Sequence, residues 1–297
     1  AGLADYRISR RAGWGIGLGD SGRPGEVIDP WVELCLTQLV LTARHGGPDP
    51  HVVTFLGFDN SYFYAVLLPG IAIALGREEL LPAGFVTNFF LHLDGSKFST
   101  SRNHVIWADD VLARSSADAV RVVALRHAPE LGVRSISRAE AADLGADPLL
   151  TALHGWHALL TAAGPEPVPE IGAWTVAHRE FYRELSLAAG RADALLSAAT
   201  FTGAGYLDLL TGLIRTAVAF HLAELPDRPI VTRAEERRTS VALDYLALRA
   251  FAALAWPVLP GYAGALWRAL GLSGTPRREV MWPPVPSGPI RLPDPPF

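Results

Sequence analysis

At 297 residues with 49 % hydrophobic side chains, the chain has enough apolar material for one large or two ordinary domains, which excludes a disordered protein. Its formal net charge of −4 excludes a global pull toward nucleic acid or anionic lipid, so tRNA would need a local basic patch and DNA is not an expected partner. The single cysteine, Cys35, excludes an internal disulfide framework and fits a reducing cytoplasm; with nine histidines that lack ligand-like spacing, no metal is expected.

Taken in chain order, the opening residues "GLADYRISRR" read as the interior of a sequence, so upstream material is expected to be either missing here or encoded elsewhere. Arg, Asp, Glu, Gly or Pro breaks each apolar run before it reaches the length of a membrane span, and no basic-then-apolar leader is present, which predicts a soluble protein. From His51 to Asp94 the pattern is strand, crossover helix, strand: "HVVTFLGF", an apolar helix over Ser61 to Leu75, then the β-rich "GFVTNFFLHL". Such a unit predicts a parallel pair with its ligand site at the strands' carboxyl ends, and Asp59 and Lys97 fall just past those two ends.

The next stretch, "LDGSKFSTSRNHVI" over residues 93 to 106, begins with turn chemistry at Asp94-Gly95-Ser96. Lys97, Ser99, Thr100 and Ser101 then form either a plain solvated loop or a donor cluster able to hold a polyphosphate by charge-assisted hydrogen bonds. From about Asp109 strand signals cease and amphipathic helices follow, with breaks expected at Gly164-Pro165, Gly190, Pro226 and Pro257 to Pro260. Leu243, Leu246, Ala250 and Leu254 mark the buried face of one such helix, with Asp244 and Arg249 on its other face. The proline-rich end from Arg277 predicts an extended tail that packs back on the body. The fold class expected is α/β followed by all-α, with domains at 1–108 and 109–276 and a tail at 277–297.

The order of these pieces resembles the later part of the class I aminoacyl-tRNA synthetases of the methionyl type. "KFSTS" followed by "SRNHVI" is similar to the family's KMSKS and SRGNVI, "WGIGL" and "VIDPW" to its WGIPVP and VIYVW, and "FLGFDNSYFYAVLLPG" to its FIGKDN-x-x-FH. "LRAFAALAWPVLPGYAGALWRALGL" and "SGPIRLPDPPF" match its final helix pair and closing segment, so the resemblance runs from about Ile8 to Phe297.

The resemblance implies a partial Rossmann-like nucleotide domain and a helical anticodon-binding-like domain. It also implies ATP with Mg2+ as the activating nucleotide, an amino acid and tRNA as substrates, and a HIGH-bearing half to complete the site. Lys97, Ser99 and Ser101 take the catalytic positions that neutralise pyrophosphate, and Gly57 and Asp59 the positions where the backbone approaches the nucleotide and a carboxylate accepts from ribose. Trp31 takes the place of an aromatic wall of the amino-acid pocket, where an indole suits a thioether. Tyr64 replaces a histidine of that pocket, and Asp29 a tyrosine beside it. An unpaired Asp29 carboxylate there predicts a water-open pocket or a more polar substrate. Gln38 replaces another tyrosine, Thr100 the second loop lysine, and Asn88-Phe89 a His-Gly pair that lies close to adenine. In the helical part Arg215 and His221 are either the residues left for tRNA contact or, the reading preferred, plain surface side chains of a bundle helix. Two other functions remain open: an adenylating paralogue with a small acceptor, and a non-catalytic module that binds tRNA or protein.

Overall fold

The computed structural model describes residues 5–19, 21–47, 50–163, 168–225, 233–278 and 292–296. The chain divides into two compact units, the first built from residues up to 90 with 130–132, the second from 91–129 with 133 onward. Residues 91–108, which the sequence groups with the first domain, pack in the second unit and carry the KFSTS segment with them.

In the first unit, β1 (Ser9–Arg11) pairs antiparallel with β2 (Glu26–Ile28) and leads into α1 (Pro30–His45). That helix starts where it does because Asp29 caps it, Pro30 supplies a preset first turn, and Glu33 complements the helix dipole. Next come β3 (Val53–Gly57), the crossover containing α2 (Leu68–Ala74), and β4 (Gly84–Asn88), which pairs with β3 in parallel from Val53↔Gly84 to Gly57↔Asn88. The predicted parallel pair is therefore present. The crossover over Ser61 to Leu75 is not one α-helix: a π-helical turn at Phe63–Leu67 precedes α2, so its side chains change facing part-way along. Cys35, Leu39, Leu68, Ala72 and Leu80 form the small core of this unit.

The second unit opens with β5 (Leu91–Leu93) and β6 (Ser96–Lys97), an antiparallel hairpin whose two-residue turn, Asp94-Gly95, has φ of 48° and 79°. Both central residues lie in the left-handed region, the conformation that Asp-Gly tolerates and a right-twisted hairpin needs. Helices α3 (Ala108–Leu112) and α4 (Ala117–Arg126) follow, and then β7 (Arg134–Ile136), which pairs in parallel with β5. This strand corrects the expectation that strands end near residue 109: three residues are too short for a readable alternation, and β7 forms only because β5 offers an edge.

Beyond α5 (Arg138–Ala142) the unit is helical: α6 (Pro148–Ala163), α7 (Val176–Leu196), α8 (Gly203–Glu224), α9 (Ala234–Ala255) and α10 (Pro260–Ala269). Gly190 does not break the chain but sits inside α7, where packing overrides a local cost of roughly 1 kcal/mol. Helix α9 does end at the Pro257 to Pro260 segment, while Gly164-Pro165 and Pro226 lie outside the described residues. Of the described helices, α8 alone is long and apolar enough to cross a membrane, and its Leu207, Leu210, Ile214 and Ala217 are buried in the bundle core.

Trp156 on α6 meets Phe251 on α9 edge to face, with centroids 5.6 Å apart, at the centre of that core. Helix α9 is buried on nearly every side, so Asp244, expected on its outer face, is 7 % exposed, beside Leu243 and Leu246 in the interior. Asp118 on α4 caps α10 from a distance in sequence, accepting from the backbone N–H groups of Gly261 and Tyr262 at 3.2 and 2.7 Å. A Cβ at 261 would stand 2.9 Å from that carboxylate, so glycine permits the close approach. Of the tail, Leu292 packs on the bundle core and the Pro296 carbonyl accepts from Ser116 Oγ; residues 279–291 lie outside the described set.

Candidate active-site segments

The sequence candidates of the first unit cluster in two places. At the carboxyl ends of β3 and β4, Gly57 pairs with Asn88, and the next residue of each strand contributes a ring. Phe58 and Phe89 stack with centroids 5.2 Å apart and planes 13° from parallel. Asp59 follows in a short 3-10 turn at Phe58–Asn60 and is exposed, its carboxylate folded back so that a Cβ on Gly57 would stand 2.7 Å from Oδ1. A side chain at 57 would meet only the end of the exposed Asp59 side chain, which can swing away, and the φ of −71° at 57 is open to any residue, so the local geometry does not demand glycine there.

The second place is the start of α1. Asp29 Oδ1 accepts from the backbone N–H of Trp31 at 2.9 Å and from the Tyr6 hydroxyl at 2.9 Å. The carboxylate is therefore a paired helix cap, which removes the basis for expecting a polar substrate from an unpaired Asp29. Burial, then the bond to Asp29, pushes the Tyr6 hydroxyl up to about 12, so it remains a donor at neutral pH. Trp31 stacks on Phe63 at 3.9 Å with planes 2° apart, and Phe63 in turn meets Tyr62 and Tyr6 edge on. One face of the Trp31 wall is consequently covered by Phe63.

Tyr64, one residue on, packs instead on the Cys35 and Leu68 core, and Gln38 donates to Thr54 Oγ1 at 2.9 Å. Burial pushes the Cys35 thiol up to about 11, which keeps it protonated beside the Phe63 carbonyl that it meets at 3.5 Å. Tyr6, Phe58, Tyr62 and Phe63 were not selected from sequence. For Phe58, Tyr62 and Phe63 the local signal was the aromatic density of "FDNSYFY", which periodicity cannot sort into inward and outward rings across a π-helical turn, and Tyr6 carried none. Asp29→Ala is expected to lower stability by about 1–2 kcal/mol through loss of the cap. Asp29→Asn, which still accepts from both donors, is expected to retain most of it, as urea denaturation would measure.

In the second unit the KFSTS segment is an ordered double turn. Lys97 is exposed at the end of β6, opposite His92, and Ser99 exchanges both backbone hydrogen bonds with His104 at 2.9 Å. Thr100–Arg102 forms a 3-10 turn closed by Asn103 in the left-handed region, at φ 53°. Ser99 Oγ and Ser101 Oγ stand 3.2 Å apart, so the two expected hydroxyls are together, and His104 Nε2 holds the Leu93 carbonyl at 2.8 Å. The hairpin is anchored from residues 134–138: Ser135 Oγ accepts from Gly95 N–H at 2.8 Å, and Arg138 bonds Asp94 through its backbone N–H at 3.1 Å.

Of the two residues left for tRNA, Arg215 is exposed on α8 but His221 is 6 % exposed and bonded to Asp244. His221 is therefore an interior residue and not a surface contact. Its place on α8 could not be read from a helix with apolar residues on all sides. Among the described residues no group of three or more His, Cys, Asp or Glu could share a metal ion.

Comparison with known proteins gives these segments a context. Residues 1–143 match the family model described as tRNA synthetases class I (M). The chain is 27 % identical to a methionine–tRNA ligase of Thermococcus onnurineus across 97 % of its own length and 43 % of that protein's. A methionine–tRNA ligase of Pyrobaculum islandicum is also 27 % identical, with 97 % of this chain and 53 % of the relative covered. Its fold superposes on Mycobacterium tuberculosis methionyl-tRNA synthetase bound by methionyl-adenylate with a TM-score of 0.80 at 22 % identity, over 98 % of this chain and 59 % of that one. The chain thus spans about half the length of the relatives it matches, and its fold is the α/β unit and helical bundle of that class.

Proposed function

We propose that this chain, whose residues 1–143 belong to the class I tRNA synthetases of the methionyl type, is part of an ATP-dependent ligase that activates an amino acid as its adenylate and passes it to tRNA. Similarity to methionine–tRNA ligases over 97 % of the chain carries this reading. In the first step the amino-acid carboxylate attacks the α-phosphorus of ATP and pyrophosphate leaves, so the charge to be stabilised lies on the leaving phosphates. Lys97 supplies the cation for it, and the paired Ser99 and Ser101 hydroxyls supply donors. Asp59 accepts from ribose hydroxyls at the end of β3, and Mg2+ enters with the nucleotide.

The Trp31, Phe63, Tyr62 and Tyr6 rings supply apolar surface suited to a thioether, and with Asp29 already paired the substrate is methionine or a similarly apolar amino acid. A HIGH-bearing segment, of which no counterpart stands in these residues, completes the nucleotide site.

The burial of His221 favours a second reading at the acceptor step, an adenylating enzyme whose acceptor is a small molecule, because it leaves only Arg215 of the two tRNA candidates. Amino-acid-dependent exchange of pyrophosphate into ATP, measured with the HIGH-bearing segment present and a panel of amino acids, tests the activation step. Methionine-dependent exchange is the expected result, and no exchange with any amino acid would leave a non-catalytic binding module. Acylation of tRNA against small amines then separates the two acceptors.

A further inference from the structure

The segment that carries Lys97 is held from a distance, by a residue 44 positions beyond Asp94. Strand β6 meets β5 only through His92↔Lys97 and Leu93↔Ser96, and an isolated hairpin of that size does not keep its own shape in water. The order of the double turn beyond it therefore has another source. Ser137 and Glu140 form a capping box that makes Arg138 the first residue of α5, and the Arg138 backbone N–H donates to Asp94 Oδ1 at 3.1 Å. From that fixed root the guanidinium reaches both ends of the excursion. Nε lies 3.4 Å from Asp94 Oδ2, before Lys97, and Nη1 donates to the Val105 carbonyl at 3.2 Å, after Ser101. One side chain thus brackets residues 95–104.

We infer that Arg138 is a positioning residue for amino-acid activation, which sets where the Lys97 ammonium and the Ser99 and Ser101 hydroxyls stand by joining the two ends of the segment that bears them. The inference rests on the reading of Lys97 as the cation that meets the departing pyrophosphate. Inside the bracket, Ser99 and His104 exchange backbone bonds at 2.9 Å, and His104 Nε2 donates to the Leu93 carbonyl at 2.8 Å. The turn is thereby returned to β5 one residue before the carbonyl that Arg138 holds. A charge aimed in advance stabilises a transition state without a cost of reorganisation, whereas one on a loose loop must first be ordered. The Arg138 and Asp94 side chains are 52 % and 41 % exposed, so their ion pair adds little to global stability. Its consequence is local: removing it loosens the segment and leaves the helical unit folded.

Pyrophosphate exchange by the full chain with the HIGH-bearing segment present, alongside amide hydrogen exchange of residues 95–104, tests this. Arg138→Ala is expected to lower kcat by about 10- to 100-fold, the scale for a misplaced catalytic group, with KM for ATP little changed. Arg138→Ala keeps the backbone bond to Asp94 and gains a good helix former in α5, so the urea midpoint should not move. Arg138→Lys, able to pair with Asp94 but lacking the second arm to Val105, should recover part of the rate. Because Arg138 acts through Lys97, adding Arg138→Ala to Lys97→Ala should cost no more than about 3-fold further. Faster hydrogen exchange of the Ser99 and His104 amides in Arg138→Ala is the expected structural signature. The inference is overturned by a loss as large in the Lys97→Ala background as in the wild type, by a urea midpoint that falls in step with the rate, or by unchanged protection of those amides. A normal rate for Arg138→Ala beside an impaired Lys97→Ala would refute the bracket alone. No pyrophosphate exchange with any amino acid would refute the ligase reading, and the amide protection then decides the bracket by itself.

Discussion

Asp244→Ala is expected to destabilise the helical unit by about 3–5 kcal/mol, the cost of leaving a buried charged partner uncompensated. Asp244 on α9 and His221 on α8 are both interior, and His221 Nδ1 lies 2.5 Å from Asp244 Oδ2. Asp244 Oδ1 has no hydrogen-bond partner among the described residues, so the pair is only half satisfied and its net contribution falls well below the cost of breaking it. A double replacement by apolar residues, His221→Leu with Asp244→Val, should therefore recover more than half of the loss in urea denaturation.

The pair also gives stability a pH dependence, with a second buried histidine opposing it. The bond to Asp244 raises His221 despite burial, so the stability from its charged form is complete below the ordinary histidine value of about 6.5 and is lost as pH rises through the raised one. His178, 0 % exposed, is lowered by burial, against the nearby Glu224 and Glu236. Its Nδ1 accepts from Thr175 N–H at 3.1 Å, which leaves Nε2–H to donate to Ser240 Oγ at 2.9 Å in the neutral ring. Stability from neutral His178 is complete above about 6.5 and is lost as pH falls below it. Burial also raises the Asp244 carboxyl, against the bond to His221, so the pair's share of the stability declines toward alkaline pH while that of His178 declines toward acid. His178→Phe should flatten the acid side of the urea-midpoint profile, and the His221/Asp244 double replacement the alkaline side.

What the sequence made legible was what local chemistry decides. Asp94-Gly95 reads as a turn because few dipeptides accept positive φ twice, and the β3–β4 pair reads as parallel because a helix-length apolar crossover separates two β-rich runs. The residues that escaped were those whose role depends on a neighbour far along the chain. Asp244 and His221 looked like outward polar positions, since each satisfies the other only after α8 and α9 pack. Asp29 looked like a pocket residue, but the Tyr6 hydroxyl and the Trp31 N–H at the start of α1 both donate to its carboxylate. Residues 134–138, which hold the Lys97 hairpin through Ser135 and Arg138, carried no signal, because a three-residue strand is specified by its partner's edge and not by its own pattern.

Lys97→Ala is expected to lower amino-acid-dependent pyrophosphate exchange by about 10²- to 10³-fold, the scale on which a transition state loses one preorganised charge-stabilising group. Lys97 stands at the end of a strand fixed to β5, and beyond it Ser99 and His104 close the next turn with a pair of backbone bonds. The backbone pairing of that scaffold does not use the ammonium group, and an unchanged urea midpoint for Lys97→Ala would assign the loss to the charge and not to the fold. If the cation meets the phosphates as pyrophosphate departs, kcat falls and KM for ATP changes little, whereas a ground-state contact would raise KM alone. Thr100, exposed at the start of the 3-10 turn where the family has its second lysine, provides the complementary experiment. Thr100→Lys should raise the exchange rate of the wild-type chain and restore part of the rate of Lys97→Ala, because a second cation on the same ordered turn acts on the same leaving group. Equal exchange rates for wild type and Lys97→Ala would show that this hairpin takes no part in the chemistry, and would leave the first unit's strand ends to account for any activity the protein has.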